Sequence, residues 1–82
     1  MPEIRVKIAS PAGLHARPAA QFVKTAAKHP GPVKIGRPDT EPVDARSMLS
    51  VLGLGICHGE EVVISGTQEA LDELSTLLSE VD

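Results

Sequence analysis

The apolar residues of this chain fall in short segments that are separated by proline and glycine. In some segments they repeat every two residues, as in a strand, and in others about every 3.6 residues, as in a helix. This pattern restricts the chain to short strands and helices. Over residues 2–9, charged and apolar residues alternate, which is typical of a half-buried strand. From Ala16 to about Lys28 the apolar positions follow the spacing of an amphipathic helix. Further segments of both kinds follow: strands at 33–35, about 41–44 and 60–65, and helices from Met48 and after Thr67. The predicted order of elements is therefore β-α-β-β-α-β-α.

These elements predict the class of fold. Four strands and three helices in 82 residues favour a two-layer α+β sandwich with the helices on one face of the sheet. A chain of this length corresponds to a single domain, residues 1–82. Pro42 demotes the third strand to an edge of the sheet, because proline cannot donate to a central ladder. Such a small domain leaves no room for a large enclosed substrate pocket, so any chemistry is expected at the surface.

The apolar residues of the helices predict which faces are buried. In the first helix they are Ala19, Phe22, Val23, Ala26 and Ala27, and in the last helix Ala70, Leu71, Leu74, Leu77, Leu78 and Val81. Around the short helix we assign Val51, Leu54 and the following Ile56 inward, and Met48, Leu49 and Leu52 outward. An outward apolar patch indicates a contact site. The alternative is that loops partly cover it.

Charge and composition limit the classes of partner. Residues 1–37 hold seven of the eight basic side chains but one acid, so the N-terminal part suits an acidic partner or a phosphate, or simply carries surface charge. Phe22 is the only aromatic residue, which leaves no platform for stacking bases and argues against nucleic acid. No apolar run reaches the ~20 residues of a membrane span. The single cysteine, Cys57, is expected to be a small core or edge residue of a cytoplasmic protein without a metal site.

His15 falls at the predicted N-cap of the first helix, where Ser, Thr, Asp or Asn is usual. Free N–H groups at Ala16 and Arg17, and the positive end of the helix dipole, would hold an anion there. The same field disfavours imidazolium, so we expect a neutral His15 with one ring nitrogen free as a nucleophile. Gly13 permits a close approach of the backbone. From the residues alone, an ordinary surface histidine is the alternative to a phosphate site.

Residues 13–20, Gly-Leu-His-Ala-Arg-Pro-Ala-Ala, resemble the active-site signature of the HPr family, the histidine-containing phosphocarriers of the phosphoenolpyruvate:sugar phosphotransferase system. The similarity continues through residues 21–24, and two further blocks, 46–55 and 58–65, are similar to the family in register. The resemblance implies an open-faced β-sandwich, in which three helices cover one face of a four-stranded antiparallel sheet. It also implies a covalent phosphoryl carrier rather than an enzyme, without metal or cofactor.

The resemblance further implies roles for single residues. His15 would accept a phosphoryl group from phosphorylated enzyme I, through the ring nitrogen nearer the backbone, and donate it to a histidine on sugar-specific IIA components. Arg17 and the Ala16 amide would stabilise that group. The expected docking face for both partners consists of Ala20, Gln21, Lys24, Met48, Leu49 and Leu52.

Ser47 has two interpretations. It is an N-cap for the short helix, worth about 1 kcal/mol. By resemblance it also aligns with a serine that a dedicated kinase phosphorylates in many Gram-positive bacteria. Two alternative functions share the expected fold: a regulatory binding module that carries no phosphate, and a member serving a nitrogen-linked regulatory branch. We expect a monomer.

Overall fold

The computed structural model describes residues 2–9, 11, 13 and 16–79, with only the backbone of residues 16 and 17. The order of its elements is the one predicted from the sequence. These elements are β1 (Glu3–Lys7), α1 (Ala16–Ala27), β2 (Lys34–Gly36), β3 (Val43–Asp44), α2 (Met48–Gly53), β4 (Glu61–Ser65) and α3 (Gln68–Ser79). None of the helices within the described residues is long and apolar enough to cross a membrane.

The four strands form one antiparallel sheet in the order β1-β4-β2-β3. Ile64 in β4 lies opposite Ile4 in β1 and Ile35 in β2, so one apolar row crosses three strands. β3 lies at the edge, as Pro42 predicted. Pro42 also packs over Gly36, where a Cβ would lie 3.0 Å from the proline Cα. The sheet is therefore open, and its order comes from long-range pairing that the local pattern does not encode.

One face of the sheet is covered by the helices, which confirms the predicted open-faced β-sandwich. α3 packs on β1, and α1 packs against both α2 and α3. Along β1 the charged residues are exposed whereas Val6 is buried, because neighbouring side chains of a strand point to opposite faces. Between the two layers lies the core: Val6, Ile8, Ala19, Phe22, Ala26, Val33, Ile35, Ala45, Val51, Ile56, Val62, Ile64, Ala70, Leu71, Leu74 and Leu78.

The buried faces of the long helices follow the prediction at most positions, although Val23 is only half-buried. Ala19, Phe22 and Ala26 of α1 are fully buried, but Ala27 is exposed. Each residue turns the helix by about 100°, so Ala27 points away from the stripe that ends at Ala26. In α3 the predicted stripe is buried except for the half-buried Leu77, and its last member, Val81, lies outside the described residues.

Candidate functional site

The predicted phosphoryl acceptor, His15, lies outside the described residues, and so does the side chain of Arg17. The structure describes the chain on either side of the acceptor, at Gly13 and from Ala16 onward. Ala16 is the first residue of α1, so its amide lies at the helix start. The first turn of α1 contains no acidic residue. No carboxylate in that turn therefore offsets the positive end of the helix, which remains suited to binding an anion.

Gly13 brings the backbone before His15 against the α2–β4 loop (residues 54–60). Its φ is +72°, and the residue is buried. A Cβ at this position would lie 2.6 Å from the carbonyl oxygen of Ile56 and 2.9 Å from the Cα of Cys57. Both distances are too short for a side chain, so only glycine fits. The close backbone approach predicted for Gly13 is confirmed, and its partner is the α2–β4 loop.

The exposed face of α1 carries three of the predicted docking residues. Ala20, Gln21 and Lys24 are all exposed, on the side of the helix opposite the buried Ala19 and Phe22. This placement agrees with the amphipathic pattern of the sequence. Their contact with a partner stays a prediction.

Ser47 is the N-cap of α2, as predicted. Its backbone is extended (φ −97°, ψ 111°), and its hydroxyl oxygen accepts a hydrogen bond from the Ser50 amide at 3.3 Å. α2 packs beside α1, so the two helices that carry the predicted docking residues are neighbours.

The apolar residues of α2 divide differently from the prediction. Leu49 is 85% exposed, as expected. Met48 and Leu52, however, are half-buried and pack against the core. Met48 lies three residues before the fully buried Val51, and Leu52 follows it directly. Because Met48 and Leu52 are four residues apart, they share one side of the helix, next to the buried face. Of the three predicted outward residues, Leu49 is the one that projects freely.

Arg46 connects the start of α2 to the chain that follows α1. Its guanidinium donates hydrogen bonds to the backbone carbonyls of His29 and Gly31. No pattern of side chains predicts these contacts, because the acceptors are backbone groups distant in sequence. The result is a second connection between the two helices of the predicted docking face.

Glu73 of α3 closes the opposite side of the α1 C-terminus. Its carboxylate lies 3.2 Å from Lys28 Nζ and 3.5 Å from Nε2 of the half-buried His29. The hydrogen bond from Lys28 lowers the pKa of Glu73 below its ordinary value. These contacts join α1 to α3 at a distance from the acceptor segment along the chain.

An ion pair that was not predicted from the sequence joins Arg37 and Glu60. Arg37 Nε lies 2.9 Å from Glu60 Oε1, and Nη2 lies 3.2 Å from Oε2. The same guanidinium donates from Nη1 to the Leu54 carbonyl at 2.6 Å and from Nη2 to the Gly55 carbonyl at 3.1 Å. Glu60 Oε2 also accepts the Cys57 amide at 2.6 Å. Since 23 positions separate the pair, no local spacing signals it.

These contacts shift the titration of both side chains. Hydrogen bonding to Arg37, and then to the Cys57 amide, holds the pKa of Glu60 below its ordinary value of 4.5. The hydrogen bond to Glu60 raises the pKa of Arg37. Both groups are therefore charged at neutral pH.

Cys57 is exposed, which corrects the prediction of a small core or edge residue. Its neighbour Ile56 takes the buried position, and the Cys57 amide bonds to Glu60 at the surface. Within the residues that the structure describes, no group of three or more His, Cys, Asp or Glu side chains could hold a metal ion.

Comparison with known proteins identifies the family. The family described as "PTS HPr component phosphorylation site" matches residues 2–80. The phosphocarrier protein HPr of Streptomyces coelicolor is 46% identical over 84 residues, covering 98% of this chain and 90% of that protein. The crystal structure of HPr-C-His from Thermoanaerobacter tengcongensis superposes with a TM-score of 0.87 at 35% identity, over 95% of this chain and 91% of that one. The crystal structure of a phosphocarrier protein HPr from Bacillus anthracis superposes with a TM-score of 0.86 at 32% identity, over 94% of this chain and 95% of that one. The chain therefore belongs to the HPr family, the phosphocarrier proteins of the phosphotransferase system.

Proposed function

We propose that this chain carries a phosphoryl group on His15, from phosphorylated enzyme I to a histidine on the IIA components of sugar permeases. The observation that carries the proposal is the family match over residues 2–80, together with the presence of His15 in the signature segment, residues 13–20. The first turn of α1, which has no acidic residue, and the buried Gly13 support it, since a helix N-terminus favours an anion and Gly13 fixes the backbone that leads to it.

The transfer needs no group beyond the two histidines. The lone pair of the His15 ring nitrogen nearer the backbone attacks phosphorus, while the phosphorus–nitrogen bond of the donor breaks and its electron pair returns to the donor imidazole. The second transfer, to the IIA histidine, repeats the exchange with His15 as the leaving group. Arg17 and the Ala16 amide would stabilise the negative oxygens through charge-assisted hydrogen bonds.

Both partners would bind the same face in turn. Ala20, Gln21 and Lys24 are exposed on α1, and Leu49 is exposed on the neighbouring α2. A small alanine admits a close partner, and an exposed leucine provides apolar contact area. Half-buried Met48 and Leu52 would contribute at its margin.

We further propose that Ser47 is a regulatory site for a serine kinase. A phosphate there would add about −1.5 to −2 charges at the start of α2 and beside the docking face. The protein is proposed to act in the cytoplasm as a monomer of one domain. Analytical ultracentrifugation tests the proposed monomeric state.

The intact mass after incubation with phosphoenolpyruvate and cognate enzyme I tests the carrier function. Wild type and Ser47→Ala should both gain one acid-labile phosphoryl group, which His15→Ala should not gain. Subsequent addition of a IIA component should remove the group. If an enzyme I of demonstrated activity leaves wild type unchanged, the carrier function is wrong and the regulatory module is favoured.

A further inference from the structure

The α2–β4 loop supports the segment that carries His15 at two points. Near the base of that segment, the Ile8 amide donates to the Glu60 carbonyl at 2.9 Å and the Gly59 amide donates to the Ile8 carbonyl at 2.9 Å. Further along, the backbone of Gly13 rests on Ile56 and Cys57 with no space for a Cβ. A movement of this loop would therefore displace the segment between β1 and α1.

Arg37 and Glu60 hold this loop through its backbone. Arg37 binds the carbonyls of Leu54 and Gly55 at the beginning of the loop, and Glu60 accepts the Cys57 amide in its middle. The fork of the guanidinium meets both carboxylate oxygens, a geometry that fixes orientation as well as distance. Arg37 lies at the start of the turn between β2 and β3. The pair thereby sets the position of three backbone groups of the loop: the carbonyls of Leu54 and Gly55 and the amide of Cys57.

Stability alone is a poor explanation for the pair. The two side chains are 36% and 34% exposed, and ion pairs so accessible to water contribute little to the free energy of unfolding. Directed hydrogen bonds to a loop can nevertheless decide where a reacting group lies, and small displacements are costly for group transfer.

We propose that Arg37 and Glu60 are positioning residues for phosphoryl transfer at His15, acting through the α2–β4 loop and Gly13. This inference rests on the carrier function proposed above. Neither side chain is proposed to touch the phosphoryl group. Breaking the pair would lower the maximal rate of phosphoryl transfer, without changing how the partners dock on α1 and α2.

The variants Arg37→Lys and Glu60→Gln test this role. Lysine keeps the charge but lacks the fork, and glutamine keeps an oxygen for Cys57 but lacks the charge. We expect the maximal rate of transfer from phosphorylated enzyme I to fall about tenfold in each, as for a small misplacement of reacting groups. The concentration of this protein that gives the half-maximal rate of transfer should not change. In NMR spectra, the Gly13 amide and the pH titration of the His15 imidazole should shift.

The Arg5–Glu61 pair offers a matched control. Arg5 Nη1 lies 3.1 Å from Glu61 Oε1, and both residues are exposed on β1 and β4. Arg5→Lys and Glu61→Gln should transfer at the wild-type rate and leave the Gly13 signal in place. Circular dichroism on every variant measures the folded fraction, so that a loss of rate in proportion to unfolding is recognised and counts against the positioning role.

The outcomes separate the two proposals. Wild type that is phosphorylated, with Arg37→Lys and Glu60→Gln as fast as the controls, overturns the positioning role alone. An effect on the half-maximal concentration with an unchanged maximal rate also overturns it, because that would indicate docking. Wild type that enzyme I does not phosphorylate overturns the carrier function and this inference with it.

Discussion

At the scale of single residues, the loop beneath the acceptor segment contacts a glycine without a side chain and an ion pair from distant parts of the chain. Gly13 could be singled out from the sequence, because it precedes a histidine at a helix start and suits a close backbone approach. The surface that it approaches could not, because Ile56 and Cys57 are more than 40 residues away in the sequence. Arg37 and Glu60 could not be paired either, since 23 positions separate them in the sequence. Contacts of this kind follow from the fold.

Replacing Gly13 with alanine should destabilise the protein by about 3 kcal/mol, because backbone strain at a positive φ adds to a clash with Ile56. Gly31→Ala is the matched control, since its φ is +82° but nothing lies within 4 Å of the new Cβ. That variant should lose only about 1 kcal/mol. Urea unfolding followed by circular dichroism measures both, and equal losses would contradict the proposed contact.

The lowered pKa of Glu60 predicts a contribution to acid sensitivity. The folded state holds this pKa below 4.5, the ordinary value. The pair therefore stabilises the protein at pH values above 4.5, and this stabilisation is lost as the pH falls through the lowered pKa. Glu60→Gln should therefore show a shallower decline of melting temperature with falling pH. Glu73, whose pKa is also lowered, contributes in the same direction in both proteins. Identical declines below pH 4.5 would refute the effect of Glu60.

At the scale of elements, capping and amphipathic spacing explain most of the helices. Ser47 caps α2 as predicted, and Thr67 caps α3; each accepts a hydrogen bond from the amide three residues later. The spacing in α2 was less decisive. Its six residues make fewer than two turns, so Met48 and Leu52 could be placed only by the surface on which the helix packs.

Ser47→Ala should cost about 1 kcal/mol of the free energy of unfolding, because α2 loses its cap. Ser47→Asp should retain wild-type stability, because aspartate caps equally well, while its charge slows transfer from enzyme I. Urea unfolding and transfer rates measure the two effects. A slow Ser47→Ala variant would argue that the hydroxyl itself, rather than added charge, affects transfer.

Leu49 and Val51 should separate docking from folding within one helix. Leu49→Ser should change the free energy of unfolding by less than about 0.5 kcal/mol, since the side chain is 85% exposed, while weakening the binding of enzyme I. Val51→Ala should cost about 2 kcal/mol, because it leaves a cavity in the core. Calorimetric titration and urea unfolding test both. Unchanged enzyme I affinity in Leu49→Ser would remove Leu49 from the docking face.

At the scale of the whole molecule, one aromatic residue lies in an otherwise aliphatic core. Phe22 has no exposed surface and is among the largest of the fully buried side chains. Because α1 packs against both α2 and α3, this helix couples the predicted docking face to the rest of the core.

Phe22→Ala should therefore cost about 3–5 kcal/mol. A domain of this size has a total stability of about 4–12 kcal/mol, so the variant should lose about a quarter or more of it and unfold at a clearly lower temperature. Phe22→Leu, which keeps most of the volume, should lose less than about 1.5 kcal/mol. Thermal unfolding by circular dichroism compares the three proteins, and a stable Phe22→Ala would show that the core can collapse around the gap.

The sequence by itself determined the type and order of the elements, the Ser47 cap of α2, most of the buried stripes and the family, because these depend on residues near one another along the chain. Cys57 was misassigned because its burial depends on what packs against it, whereas Ala27 was misassigned although the helix geometry turns it away from the buried stripe. Only the tertiary structure decided that Gly13 rests on the α2–β4 loop and that Arg37 and Glu60 hold this loop. Backbone carbonyls and amides carry no sequence signature, so contacts to them become visible only once the chain is folded.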